Sequence, residues 1–153
     1  MKNYIGFKAV KAKPMTFGEF IRTVATVEDG AEIENEDNQG YKVVCSDGYA
    51  SFSPKDVFEK AYMKVGDNNT TTQELVDSFI ADIDVVQLGN KTTVVKATLV
   101  NGFIIVESSS CVDANNFSMQ VGTDICMERI KNKLWELLGF ILQTAVRGIK
   151  EQG

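Results

Sequence analysis

The chain contains no histidine. That absence excludes Ser-His-Asp and Cys-His nucleophilic catalysis, histidine general bases and the histidine-rich metal clusters that hydrolyse phosphodiesters. No GxxxxGK[ST] loop and no strand-linked GxGxxG is present, so nucleoside triphosphate and dinucleotide-cofactor folds are not indicated. The three cysteines, Cys45, Cys111 and Cys126, form no CxxC pair and are odd in number. They argue against a disulfide framework or a zinc site and for reduced core residues. With only two prolines and no low-complexity tract, the composition is that of a globular chain. The opening MKNYIGFKAVKAKP has too many lysines and too short an apolar run for a secretory leader, and no later run approaches a membrane span. The expected location is therefore the cytoplasm. The expected activity is non-enzymatic, without a cofactor.

Charge narrows the partners. A net charge of −5 argues against binding duplex nucleic acid, which needs cations to displace counterions. Its distribution is uneven: Glu28, Asp29, Glu32, Glu34, Glu36 and Asp37 crowd one loop, whereas Arg129, Lys131, Lys133, Arg147 and Lys150 gather near the C-terminal end. The acids lack the rigid spacing of a magnesium site, and the cations suit a small anionic ligand.

The local patterns imply an α+β fold, an antiparallel β-sheet with helices packed on one face and a small hairpin/helix module before it. The module is expected over residues 1–65 and the sheet with its long helical region over 70–153. Residues 4–12 read as a strand, and Thr16 with Glu19 forms a capping box for a helix carrying Phe17, Phe20 and Ile21. Tyr41 to Ser46 and Tyr49 to Ser53 form a hairpin about Asp47-Gly48. Ser53-Pro54 then supplies an N-cap and first-position proline to a helix burying Phe58, Ala61, Tyr62 and Val65. Gly66-Asp67-Asn68-Asn69-Thr70 reads as a linker. Thr71 and Glu74 are expected to cap a helix burying Leu75, Val76, Phe79, Ile80 and Ile83, with a strand at Val85 to Leu88 after it.

The richest stretch is Asn101 to Gly148. Asn101-Gly102 lies between two β-branched runs and fits a two-residue type I′ hairpin turn. Such a turn pairs Val100 with Phe103, Ala97 with Val106 and Lys96 with Glu107, leaving Val95, Ala97, Leu99, Ile104 and Val106 on one apolar face. Phe103 then projects from the half-polar face, either beneath a helix or toward a ligand. Asn115 or Asn116 caps the following helix. Cys126, Ile130, Leu134, Leu137, Ile141 and Ala145 form its core stripe, widened by Met127 and Leu138. Arg129 and Arg147 lie eighteen positions apart, about 27 Å along a straight helix, so one small ligand meets both only through a helix break or a second subunit.

These motifs, NGF, SxxCVDxxNF and KLWELLGFIL, resemble a family of small tailed-phage proteins, with Trp135-Glu136 where the family usually has Trp-Pro. KAKPMTFGEF with GYKVVCSDGYASFSPKDVFEKAY resembles a phage module found in front of such domains, with Phe52 in place of its usual Trp. Their combination is similar to the Thoeris anti-defence proteins of the first described type. The resemblance implies a sponge that sequesters a cyclic ADP-ribose-type or cyclic oligonucleotide signal in the host bacterial cytoplasm. It also implies a homo-oligomer built from dimers, up to a hexamer, with Phe103, Asn115, Asn116, Arg129 and Arg147 binding the ligand. The alternative is an adaptor that docks a host or phage protein through Tyr41, Tyr49 and Phe52.

Overall fold

Capping chemistry fixes where the first helix begins. In a computed structural model, which describes residues 1–28 and 31–150, Thr16 Oγ1 accepts from the Glu19 N–H at 3.2 Å. The Glu19 carboxylate accepts from the Thr16 N–H at 2.6 Å, completing the predicted box. The helix is α1, Phe17–Val24, and the strand before it is β1, Lys11–Thr16. The predicted strand over 4–12 is thus misplaced. Its partner β2, Gln39–Val44, is six residues long and pairs with Lys11 through Thr16, so Tyr4, Ile5 and Phe7 have no strand to join and stay exposed.

The chain divides into two compact units, Met1–Lys64 with Ala145–Gly153, and Val65–Thr144. In the first, β2 also pairs with β3, Ala50–Pro54, around a turn in which the Gly48 N–H donates to the Cys45 carbonyl and Gly48 adopts φ +84°. The ladder runs on to Gly40 opposite Pro54, so Ser53 is a strand residue and not the expected N-cap. Helix α2, Lys55–Ala61, follows with Pro54 at its cap position and no side-chain cap bond. Phe17 and Phe20 pack on Phe52, with ring centroids 5.2 and 5.8 Å away, while Tyr41 stacks on Phe58 and Phe58 on Tyr62. Ala61, expected inside, is exposed.

In the second unit, the Gly66–Thr70 segment is a tight turn. Gly66 and Thr70 are bridged by backbone hydrogen bonds in both directions, and Asn68 and Asn69 both hold left-handed φ near +57°. Helix α3, Gln73–Ser78, is capped by Thr72, whose Oγ1 accepts from the Leu75 N–H; the expected cap at Thr71 is one residue early. Leu75 and Val76 are buried, but Ile80 and Ile83 belong to strand β4, Ile80–Leu88. Pairing of Ile80 with Leu99 and of Ile83 with Ala97 captures those residues for the sheet, overriding the helical spacing that the sequence suggests.

Strands β5, Thr92–Leu99, and β6, Ile104–Ser110, complete an antiparallel sheet in the order β4-β5-β6. The hairpin between them differs from expectation by one residue. The Leu99 N–H donates to the Phe103 carbonyl and the Gly102 N–H to the Leu99 carbonyl, with Gly102 at φ +83°. This three-residue loop pairs Ala97 with Ile105, Lys96 with Val106 and Val95 with Glu107. Because side chains alternate, the slip moves Ile104 and Val106 to the open face and brings Ile105 and Glu107 inward.

Helix α4, Met119–Arg147, is unbroken over 29 residues. Gly122, Cys126, Ile130, Leu134 and Leu138 are its buried positions, and they pack with Val95, Ala97, Leu99 and Ile105. Leu137, expected in that stripe, is exposed, because the covered row advances in steps of four and reaches Leu138 instead. Gly122 permits the closest approach: a Cβ there would lie 2.7 Å from Thr93 Cβ and nearer still to Thr93 Oγ1. Cys126 is a core residue, whereas Cys45 and Cys111 are half-buried, so only one cysteine follows the core expectation.

Candidate functional site

The residues proposed to hold a ligand fall into separate regions. Phe103 follows the β5–β6 loop, its N–H bonded to Asn101 Oδ1 at 3.0 Å, and it is 56% exposed. Its ring is therefore exposed and not packed beneath a helix within the described residues. Asn115 and Asn116 lie beyond the other end of β6, in a 3₁₀ turn over Ala114–Asn116. Asp113 organises that turn: its Oδ1 accepts from the Asn115 N–H and its carbonyl from the Asn116 N–H. Neither asparagine caps α4. Ser118 does so through Oγ, which accepts from the Val121 N–H at 3.3 Å; a serine directly before the helix is as good a capping signal in the sequence as the asparagines. Both asparagines are exposed. At about 3.3 Å per strand residue, the length of β6 separates them from Phe103 by more than 20 Å within one chain.

Arg129 is already engaged. Its Nη1 donates to the Ser108 carbonyl at 2.7 Å. The hydrogen bonds at Leu99/Phe103 and from the Cys111 N–H to the Lys91 carbonyl set the alternation of the ladder. By that alternation the Ser108 carbonyl points away from β5, at the free edge of the sheet. One turn further along α4, Lys133 pairs with Glu107, whose side chain is only 14% exposed. The expected Lys96–Glu107 pair does not form. Lys96 instead bonds Asp84 across to β4, which raises the lysine above its ordinary range. Lys131 bonds Asp77, which together with the Gln73 amide holds that carboxyl below the usual range. Burial pushes the Cys126 thiol up, leaving it a protonated core group. Arg147 closes the last turn of α4, and with no break in the helix it stays about 27 Å along the axis from Arg129.

The acids of the α1–β2 loop border an open concavity of about 410 Å³ lined by Glu32, Ile33, Glu34 and Glu36. Glu36 also pairs with Arg22 at 2.8 Å. A phosphate would meet like charge there. Asp29 lies outside the described residues. Of the aromatic set expected to dock a protein, Tyr41 and Phe52 are used within their own unit and Tyr49 is 67% exposed. Among the described residues no helix is long and apolar enough to cross a membrane, and no metal-ligating cluster of histidine, cysteine or acidic side chains occurs.

Residues 71–146 match the model of the phage protein (N4 Gp49/phage Sf6 gene 66) family. This stretch is similar to that phage protein family. The match begins just before α3 and ends one residue short of the end of α4. It therefore takes in the whole β4–β6 sheet with Phe103, Asn115, Asn116 and Arg129, and leaves Arg147 outside. Comparison with curated proteins and with solved structures finds no match.

Proposed function

We propose that this chain is a phage protein that binds a cyclic ADP-ribose-type nucleotide signal and holds it away from its receptor without degrading it. The observation that supports the reading most is Phe103, an aromatic ring left more than half exposed beside a loop, where neither the core nor the turn requires it. A nucleobase needs such a ring to stack on, while its phosphates need cations and its ribose hydroxyls need amides. Asn115, Asn116, Arg129 and Arg147 are of the right chemistry. Their spacing on one chain is too wide for one small ligand, so the site would be assembled from more than one copy, in an oligomer built from dimers. Sequestration requires no general base or metal, and a chain without histidine is suited to it.

Calorimetric titration with cyclic ADP-ribose and its glycosidic isomers tests the proposal. Phe103→Ala should weaken binding by about 1–3 kcal/mol. Arg147→Ala should weaken it by about 1.5–3 kcal/mol, the range for a charge-assisted bond. Heating the complex and chromatographing the supernatant should return the intact nucleotide. If the folded wild-type protein binds none of these ligands and instead retains a host or phage protein on an affinity column, the adaptor reading replaces this one. A linear or dephosphorylated product would refute sequestration.

A further inference from the structure

Positive charge in the first unit gathers at its opening. Residues 1–18 contain four lysines and no acidic residue, in a chain whose net charge is −5. Lys2 and Lys8 are exposed in a segment, residues 1–10, that forms no helix or strand and is tied down by the bond from the Ala9 N–H to the Ala145 carbonyl. Lys11 and Lys13 lie two residues apart on β1, so both project from one face of the β1–β3 sheet. The register adds a third cation to that face. Lys42 of β2 stands directly opposite Lys13, with Phe52 of β3 next in the same row. Phe17 and Phe20 of α1 pack on Phe52, and Lys11 and Lys13 stay exposed.

Like charges opposite one another across a ladder destabilise it. Nothing in the unit relieves the Lys13–Lys42 pair. Among the described residues none of these lysines has a salt-bridge partner. The acids that could serve are engaged elsewhere: Glu19 accepts from the Thr16 N–H, Glu36 pairs with Arg22, and Asp47 accepts from the Tyr49 N–H. A cross-strand lysine pair kept without a carboxylate is a place for an anion supplied from outside.

We infer that the opening segment and this sheet face together bind single-stranded nucleic acid, independently of its sequence. Two observations select that class of anion. The first is spacing: alternate residues of a strand are about 6.7 Å apart, so Lys11 and Lys13 repeat at a step comparable with that between phosphates of an extended single strand. The second is the pair of rings set among the lysines. Tyr4 and Phe7 are 91% and 42% exposed and enter none of the unit's aromatic pairs. Such rings stack on free base faces, which a duplex keeps inside its own stack and an inorganic anion lacks. None of these residues belongs to the proposed nucleotide-signal site, so the two readings stand or fall separately.

Fluorescence anisotropy of labelled oligo(dT) and oligo(U), about 15 nucleotides long, tests this with the full chain over a salt series. If Lys2, Lys8, Lys11, Lys13 and Lys42 all meet phosphates, log K should fall against log salt with a slope of about −3.5. The Lys13→Gln/Lys42→Gln double variant should reduce that slope to about −2.1, and its melting temperature should hold or rise because the opposed charges are gone. Tyr4→Ala and Phe7→Ala lie outside every helix and strand; each should weaken binding about tenfold with the slope unchanged. Lys91→Gln, in the other unit, is the control and should bind as wild type. Failure of the folded protein to bind either single strand would overturn the inference. Equal affinity for a duplex, or lysine variants that keep the wild-type slope, would overturn it too. So would capture by phosphatidylglycerol vesicles, lost in Tyr4→Ala, with no binding to either oligonucleotide.

Discussion

The two helical glycines of α4 make opposite predictions from one substitution. Alanine at Gly122 would place a Cβ 2.7 Å from Thr93 Cβ and closer to its hydroxyl, where ordinary contacts begin at 3.4 Å. Thr93 cannot swing away, because it is fully buried and its β-branched side chain is stiff at χ1. Either α4 must lift from β5, loosening Cys126, Ile130 and Leu134, or the strand must bend. Overpacking of this kind costs about 1–3 kcal/mol, and a clash near the top of that range outweighs the roughly 1 kcal/mol that alanine gains over glycine in a helix. The expected net effect of Gly122→Ala is a loss of about 2 kcal/mol. Gly139 lies on the same helix with nothing within 4 Å of an added Cβ, so Gly139→Ala should stabilise by about 1 kcal/mol. Urea denaturation followed through Trp135, the only tryptophan, reads both. With a slope near 2 kcal/mol/M the midpoints should move by about 1 M downward and 0.5 M upward. A Gly122→Ala protein as stable as wild type would refute the close approach of α4 to β5.

Two further outcomes follow from caps and charges. Thr72→Ala should cost about 1 kcal/mol, while Thr71→Ala, one residue outside the cap, should leave the denaturation midpoint in place. Tyr41, raised above its ordinary value by its hydrogen bond to Glu59, and Lys96, raised by Asp84, each add stability that is fully present below their unfolded values and lost as the pH climbs through the folded ones. Asp77, lowered by Lys131, adds stability present above its unfolded value and lost as the pH falls through the folded one. A melting temperature flat between pH 6 and 9 and falling beyond about pH 10 and below about pH 4 is expected, with the acid limb shallower in Asp77→Asn.

How much of this was legible in the sequence depended on range. The Thr16/Glu19 box, the β-branched strands and the turn glycines are encoded within four residues of one another, and they appear where expected. The register of β5 on β6 was not legible, because Asn-Gly fits a two-residue turn and also supplies the left-handed residue of a three-residue one. The same ambiguity moved Glu107 from a pair with Lys96 to one with Lys133. The spacing of Ile80 and Ile83 suggests a longer helix α3, and only pairing with β5 claims them for the sheet. For the candidate site, the kinds of residue could be read from the sequence but not their grouping. Phe103 and the asparagines are thirteen or fewer positions apart in the chain, yet a whole strand keeps them apart in space.

The bond from Arg129 to the Ser108 carbonyl ties two properties together. That carbonyl sits on the outer edge of β6, where an unguarded strand invites another chain to add itself. A guanidinium resting there acts as a gatekeeper. An anion that drew Arg129 away would uncover the edge at the moment of binding, and Arg129→Ala would uncover it permanently. Under the proposed function, solubility and ligand affinity would share this one side chain, and a variant made to measure the second must first be checked for the first.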